Sequence, residues 1–158
     1  MITSTSSSQV KHVVNLQKKA KLRKEEKQFV VEGVKMVSEA PADRLVKVYV
    51  SETFKADNEE FLERMNYDSI GKDVLEIVTD NVFMRMADTQ TPQGIMAVVR
   101  MSDTDLEGIL SDKRNPLLLI IENLQDPGNL GTIVRMAEGA GVTGIIMSSN
   151  TVDIYNPK

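Results

Sequence analysis

The run Leu117–Ile121, five aliphatic residues without a polar interruption, constrains this chain more than any other feature. An unbroken apolar run of that length predicts a strand buried on both faces, and such strands belong to parallel sheets covered by helices. A polar loop, Glu122–Asn129, comes next, and a helical pattern runs from about Leu130 to Glu138. Gly139 and Gly141 then stand where helices commonly stop on glycine. Gly144–Met147 supplies another strand. Together these elements predict one βαβ unit, opening an α/β domain at residue 116. Residues 116–158 are too few to bury a core alone, so either they lean on the preceding domain or part of their own domain is missing.

Upstream, short strands alternate with short helices. Val10, Val13, Val14 and Leu16 recur at helical spacing, after a Ser/Thr-rich start that reads as a disordered tail or a cap. Phe29–Val31 is β-rich, Glu32–Ala40 helical, and Leu45–Val50 a strand with Val46, Val48 and Val50 on one face. Glu59–Met65 reads as helix and Val74–Thr79 as strand. Asn81 is a candidate cap for a helix through Ala87, and Gly94–Arg100 is a fourth strand. This order implies an α/β layered domain with a largely parallel sheet. The expected organisation is an N-terminal tail and basic helix over 1–27 and a first domain over 28–101. A linker helix over 102–115, capped by Ser102 or Asp103, then leads to the start of a second domain over 116–158.

Composition narrows the chemistry. With 41% hydrophobic and 27% charged residues the chain is globular rather than disordered. It has no cysteine and one histidine, His12, which excludes disulfide scaffolds and the usual zinc sites. No run approaches the ~18 apolar residues of a membrane span, and the start lacks a signal-peptide core. A cytoplasmic protein without a membrane partner is the expectation. The net charge of −4 argues against a nucleic-acid partner, but its distribution does not. Between Lys11 and Lys27 lie seven Lys/Arg and two acids, leaving the remainder strongly acidic. Such a stretch is either a solvated helix face or a footprint for a polyanion. Lys18, Lys19, Lys21 and Arg23 are its candidate contacts to such a polyanion.

The loop after the aliphatic run sits where open α/β sheets place ligands. It carries neither G-x-G-x-x-G nor G-x-x-x-x-G-K-[ST], so dinucleotide and P-loop readings are weak. Asp126–Pro127–Gly128 makes a tight turn, and Asn129 supplies an amide near the helix N-cap. Gly131 permits close backbone approach. Arg135 lies four residues past Gly131, on the same helix face. It reads equally as a salt-bridged surface arginine or as a functional cation.

The pattern N-x-x-D-P-x-N-x-G-x-x-x-R-x-A, met by Asn123, Asp126, Pro127, Asn129, Gly131, Arg135 and Ala137, resembles the first motif of SpoU/TrmH RNA 2′-O-ribose methyltransferases. The segment VDIYNPK resembles the family's stretch just after that motif, and KLRKEEKQFVVEGVKMVSEA and TPQGIMAVV resemble its substrate-binding domain. The resemblance implies a ribosomal-protein-like α/β/α domain followed by the first βαβ unit of a knotted SPOUT methyltransferase domain. It implies methyl transfer from S-adenosylmethionine to a ribose 2′-hydroxyl of ribosomal or transfer RNA, by a homodimer when the enzyme is complete. Arg135 and Asn129 are the implied catalytic pair, Asn129 orienting Arg135 or the ribose. Asn123, Asp126, Pro127 and Gly131 shape the loop, and Glu122 is a candidate anchor. The family's donor-binding motifs come later than these residues, so this chain is expected to bind RNA but not the donor. The alternatives are a non-catalytic RNA-binding module and a small-nucleotide-binding α/β protein.

Overall fold

The structure, a computed structural model, describes residues 1–65, 74–103, 105–111 and 115–157. The chain divides into two compact units, Met1–Met101 with Pro157 and Ser102–Asn156. Lys158 and parts of the expected linker, residues 104 and 112–114, lie outside the described residues.

The first unit is an α/β/α sandwich. Helices α1 (Ser8–Lys18) and α2 (Ala20–Glu26) precede β1 (Gln28–Glu32) and α3 (Val34–Glu39). After β2 (Leu45–Ser51) come α4 (Glu52–Asp57), α5 (Glu59–Arg64), β3 (Leu75–Val78), α6 (Asp80–Met86) and β4 (Ile95–Arg100). The sheet order is β1-β4-β2-β3. β4 inserts between β1 and β2 and runs antiparallel to both, so β2–β3 is the parallel pair. The expectation of a largely parallel sheet is therefore corrected. Strand and helix patterns reveal alternation, but not where the last strand returns.

Alternation along β4 divides the core. Met96 and Val98 face one layer with Val10, Val13 and Leu16 of α1 and Val82, Phe83 and Met86 of α6. Ile95, Ala97 and Val99 face the other with Val37, Phe54 and Leu62. Each fully buried side chain of this kind contributes roughly 1.5–3 kcal/mol. The α1 stripe binds the basic segment into this unit, so residues 1–27 are not a separate tail. Ile2 pairs with Val78 beside β3, which orders the Ser/Thr-rich start. In β2, Val48 and Val50 share a face while Val46 packs with the opposite layer. The register shift between Leu45 and Lys47 explains this, because one extra residue turns the earlier side chains over. Thr79, not Asn81, occupies the cap position of α6.

In the second unit, α7 (Leu106–Leu110) precedes β5 (Leu118–Ile121), α8 (Pro127–Gly139) and β6 (Gly144–Met147). Asp105 caps α7, accepting from Gly108 N at 2.7 Å, in place of Ser102 or Asp103. β5 and β6 are parallel, with Leu118 opposite Gly144 and Ile120 opposite Ile146. A Cβ on Gly144 would collide with Ile109 of α7, so only glycine permits that approach. Helix α8 ends in a Schellman motif: Gly141 N–H bonds Glu138 O, Val142 N–H bonds Ala137 O, and Gly141 takes φ +76°. The aliphatic run is not buried on both faces. Ile121 is buried, whereas Ile120 is 72% exposed and its cross-strand partner Ile146 37%. Alternate residues of β5 point to opposite faces, and among the described residues one of those faces stays open.

Candidate functional site

The loop between β5 and α8 is built by three local rules. Asp126 is the helix N-cap, its Oδ1 accepting from Asn129 N at 2.6 Å. Pro127 fills the first helical position, where a missing N–H costs nothing. Asn123 takes a left-handed backbone (φ +54°), a conformation asparagine tolerates better than most side chains. The helix thus begins three residues before Leu130, and Asn129 lies within its first turn rather than at its cap.

Two loops are joined at the carboxyl ends of β5 and β6. Asn123 N donates to Ser148 Oγ at 3.0 Å, and Val152 N to Leu124 O at 2.8 Å. Gln125 Nε2 donates to Asn150 O at 2.6 Å and to Asn123 O at 3.3 Å. The mouth of the unit is consequently a fixed platform rather than an open turn.

Arg135 lies in the third turn of α8 and folds back along its own helix. Helical side chains lean toward the N-terminus, and the residue four positions back is glycine. The guanidinium comes close to it: a Cβ on Gly131 would stand 3.3 Å from Arg135 Nη1, a tight contact. Arg135 Nη2 donates to Thr132 Oγ1 at 3.1 Å, and Thr132 Oγ1 donates to Gly128 O at 3.0 Å. Arg135 remains exposed, with its charge carried back toward the helix N-terminus. Among the described residues its hydrogen-bond partner is Thr132, not Asn129. Glu122 is exposed, with no described contact that would anchor the loop. Thr132, Gln125 and Ser148 carry no mark in the sequence pattern. The single available signal was Thr132 standing three residues before Arg135, within helical reach.

The basic segment resolves into a corner. α1 ends at Lys18, Lys19 is extended, and α2 begins at Ala20. Lys18, Lys19 and Lys21 are exposed there. Arg23 is not. It is 3% exposed, and its Nη1 donates to Leu16 O at 2.6 Å and Gln17 O at 2.8 Å. The buried guanidinium caps the C-terminus of α1, where a cation also complements the helix dipole. Its place among the solvent-facing RNA contacts is therefore corrected. His12 Nε2 and Glu26 Oε2 meet at 2.6 Å and tie α1 to α2.

The fold and the strand–loop–helix are those of an α/β protein with a ligand-type loop at the strand ends. The MRM3-like substrate binding domain matches residues 7–97, and the SpoU rRNA Methylase family matches residues 116–158. A human mitochondrial rRNA methyltransferase 3 is 32% identical over 155 residues, covering 92% of this chain and 34% of that protein. A Bacillus subtilis 23S rRNA guanosine 2′-O-methyltransferase is 34% identical over 82 residues, covering 52% of this chain and 31% of its own. The AdoMet-bound rRNA methyltransferase of Sinorhizobium meliloti superposes with TM-score 0.80 at 24% identity, covering 98% of this chain and 56% of that one. The chain belongs to the SpoU/TrmH family of RNA methyltransferases. It spans about a third of the length of the curated relatives named here.

Proposed function

We propose that these residues are the RNA-recognising and loop-forming part of an enzyme that methylates a ribose 2′-hydroxyl, in ribosomal RNA first and transfer RNA second. The observation that carries this reading is the exposed Arg135 guanidinium, turned back beside Gly131 and Thr132 on the helix that follows the β5 loop. In the reaction the 2′-oxygen forms a bond to the methyl carbon, the sulfonium–carbon bond of the donor breaks, and the hydroxyl proton passes to solvent. Arginine is a poor base because its pKa exceeds about 12. Its fixed cation instead stabilises the developing alkoxide and grips the neighbouring phosphate with two donors. DNA lacks the nucleophile, so the substrate is RNA.

S-adenosylmethionine is the methyl donor in this reading, as a second substrate. The residues that hold the donor are proposed to belong to motifs other than the Asn123–Ala137 loop and helix. Homodimer formation by the complete enzyme belongs to the same proposal.

The test joins this chain to the donor-binding residues of a SpoU methyltransferase domain and supplies labelled donor and ribosomal RNA. A 2′-O-methyl group blocks alkaline cleavage at its own linkage. Label is expected in alkali-resistant dinucleotides; label confined to mononucleotides would mean that a base is modified and the reading is wrong.

A further inference from the structure

We propose that Thr132 is a positioning residue for Arg135, holding the guanidinium where the RNA must meet it. The proposal rests on the functional reading above and adds the device that sets the arginine. An arginine side chain on an exposed helix face samples many rotamers, and fixing one costs entropy. Two features limit that freedom here. Gly131 lets the guanidinium lie close against the helix, since a Cβ there would press on Arg135 Nη1 at 3.3 Å. Thr132 then supplies the tether, because its one hydroxyl proton goes to Gly128 O and its oxygen lone pairs are left to accept from Arg135 Nη2. The hydroxyl is itself held by the backbone of the first helical turn. Thr132 therefore passes the position of that turn on to the cation, a part that the motif alone suggests for Asn129. The same bond uses one N–H at the edge of the guanidinium and leaves its other donors for a phosphate and a ribose oxygen.

Two experiments test this. In the chain as it stands, 15N-resolved NMR should show distinct, slowly exchanging Nη signals for Arg135. Thr132→Val should collapse them and Thr132→Ser should keep them, since valine preserves the branched shape without the hydroxyl. In the chain joined to its donor-binding half, Thr132→Val should slow single-turnover methyl transfer about threefold to tenfold, the range of one hydrogen bond. Affinities for RNA and donor should stay within about twofold, and Thr132→Ser should recover the rate. In an Arg135→Ala background, Thr132→Val should have no further effect, whereas a merely structural threonine would slow both backgrounds alike. A slow Arg135→Ala enzyme beside a full-rate Thr132→Val enzyme overturns this proposal alone. A full-rate Arg135→Ala enzyme overturns the functional reading and this proposal with it.

Discussion

Arg23 shows how one side chain changes meaning with burial. Its guanidinium is withdrawn from solvent and satisfied by the last carbonyls of α1, so it serves the corner rather than a ligand. Arg23→Gln should remove about 1.5–3 kcal/mol of stability, as expected for hydrogen bonds to a buried charge. The measurement is a urea midpoint at unchanged slope, and an unmoved midpoint would mean that the clasp contributes nothing. Tyr49 is the other residue whose state the fold sets. Burial, with the nearby Glu76 carboxylate second, pushes its phenol up to about 12, and its hydroxyl donates to Gln9 Oε1 at 3.2 Å. A raised folded-state pKa gives stability that is complete below the unfolded value near 10 and lost as pH rises toward 12. Wild-type chain should therefore lose stability faster than Tyr49→Phe between those limits. Equal losses would place the phenol in contact with water.

Among the elements, the α1–α2 corner is the surface proposed to meet an RNA backbone. Three exposed lysines, Lys18, Lys19 and Lys21, stand on a turn held by Arg23 and by the His12–Glu26 pair. Each phosphate contact should add a slope of about −0.7 to the log–log salt dependence of single-stranded RNA binding. Replacing all three with Gln should flatten that slope by about two on the same scale; an unchanged slope and affinity would make the corner a solvated face. The helical stripe of α1 and the βαβ unit were legible because periodicity reports which face is buried. The insertion of β4 was not, since pairing depends on contacts remote in sequence. The bulge in β2 was also hidden, because one extra residue leaves the apolar pattern intact while reversing its direction. In the loop, Asp126, Pro127 and Gly131 were legible through their backbone demands, and Asn123 only through the family motif. Thr132 was not, because a hydroxyl's partner is set by rotamer rather than by spacing.

At the level of the whole molecule, the two units differ in how completely they cover their sheets. The first buries residues on both faces of its four strands. The second leaves Ile120 and Ile146 open on one side of two strands, within a chain that spans about a third of its named relatives. The chemistry proposed for the complete enzyme converges on Arg135. The most direct measurement is single-turnover methyl transfer to ribosomal RNA, with RNA and donor saturating, by this chain joined to its donor-binding half. Loss of an oxyanion-stabilising donor costs about 10²–10³ in turnover, and Arg135→Ala should fall in that range. Arg135→Lys should be nearly as slow, because an ammonium cannot make the planar two-pronged contact. Donor affinity should hold steady in both. A near-normal rate in Arg135→Ala would contradict the account, leaving the arginine a surface residue and the loop without its assigned chemistry.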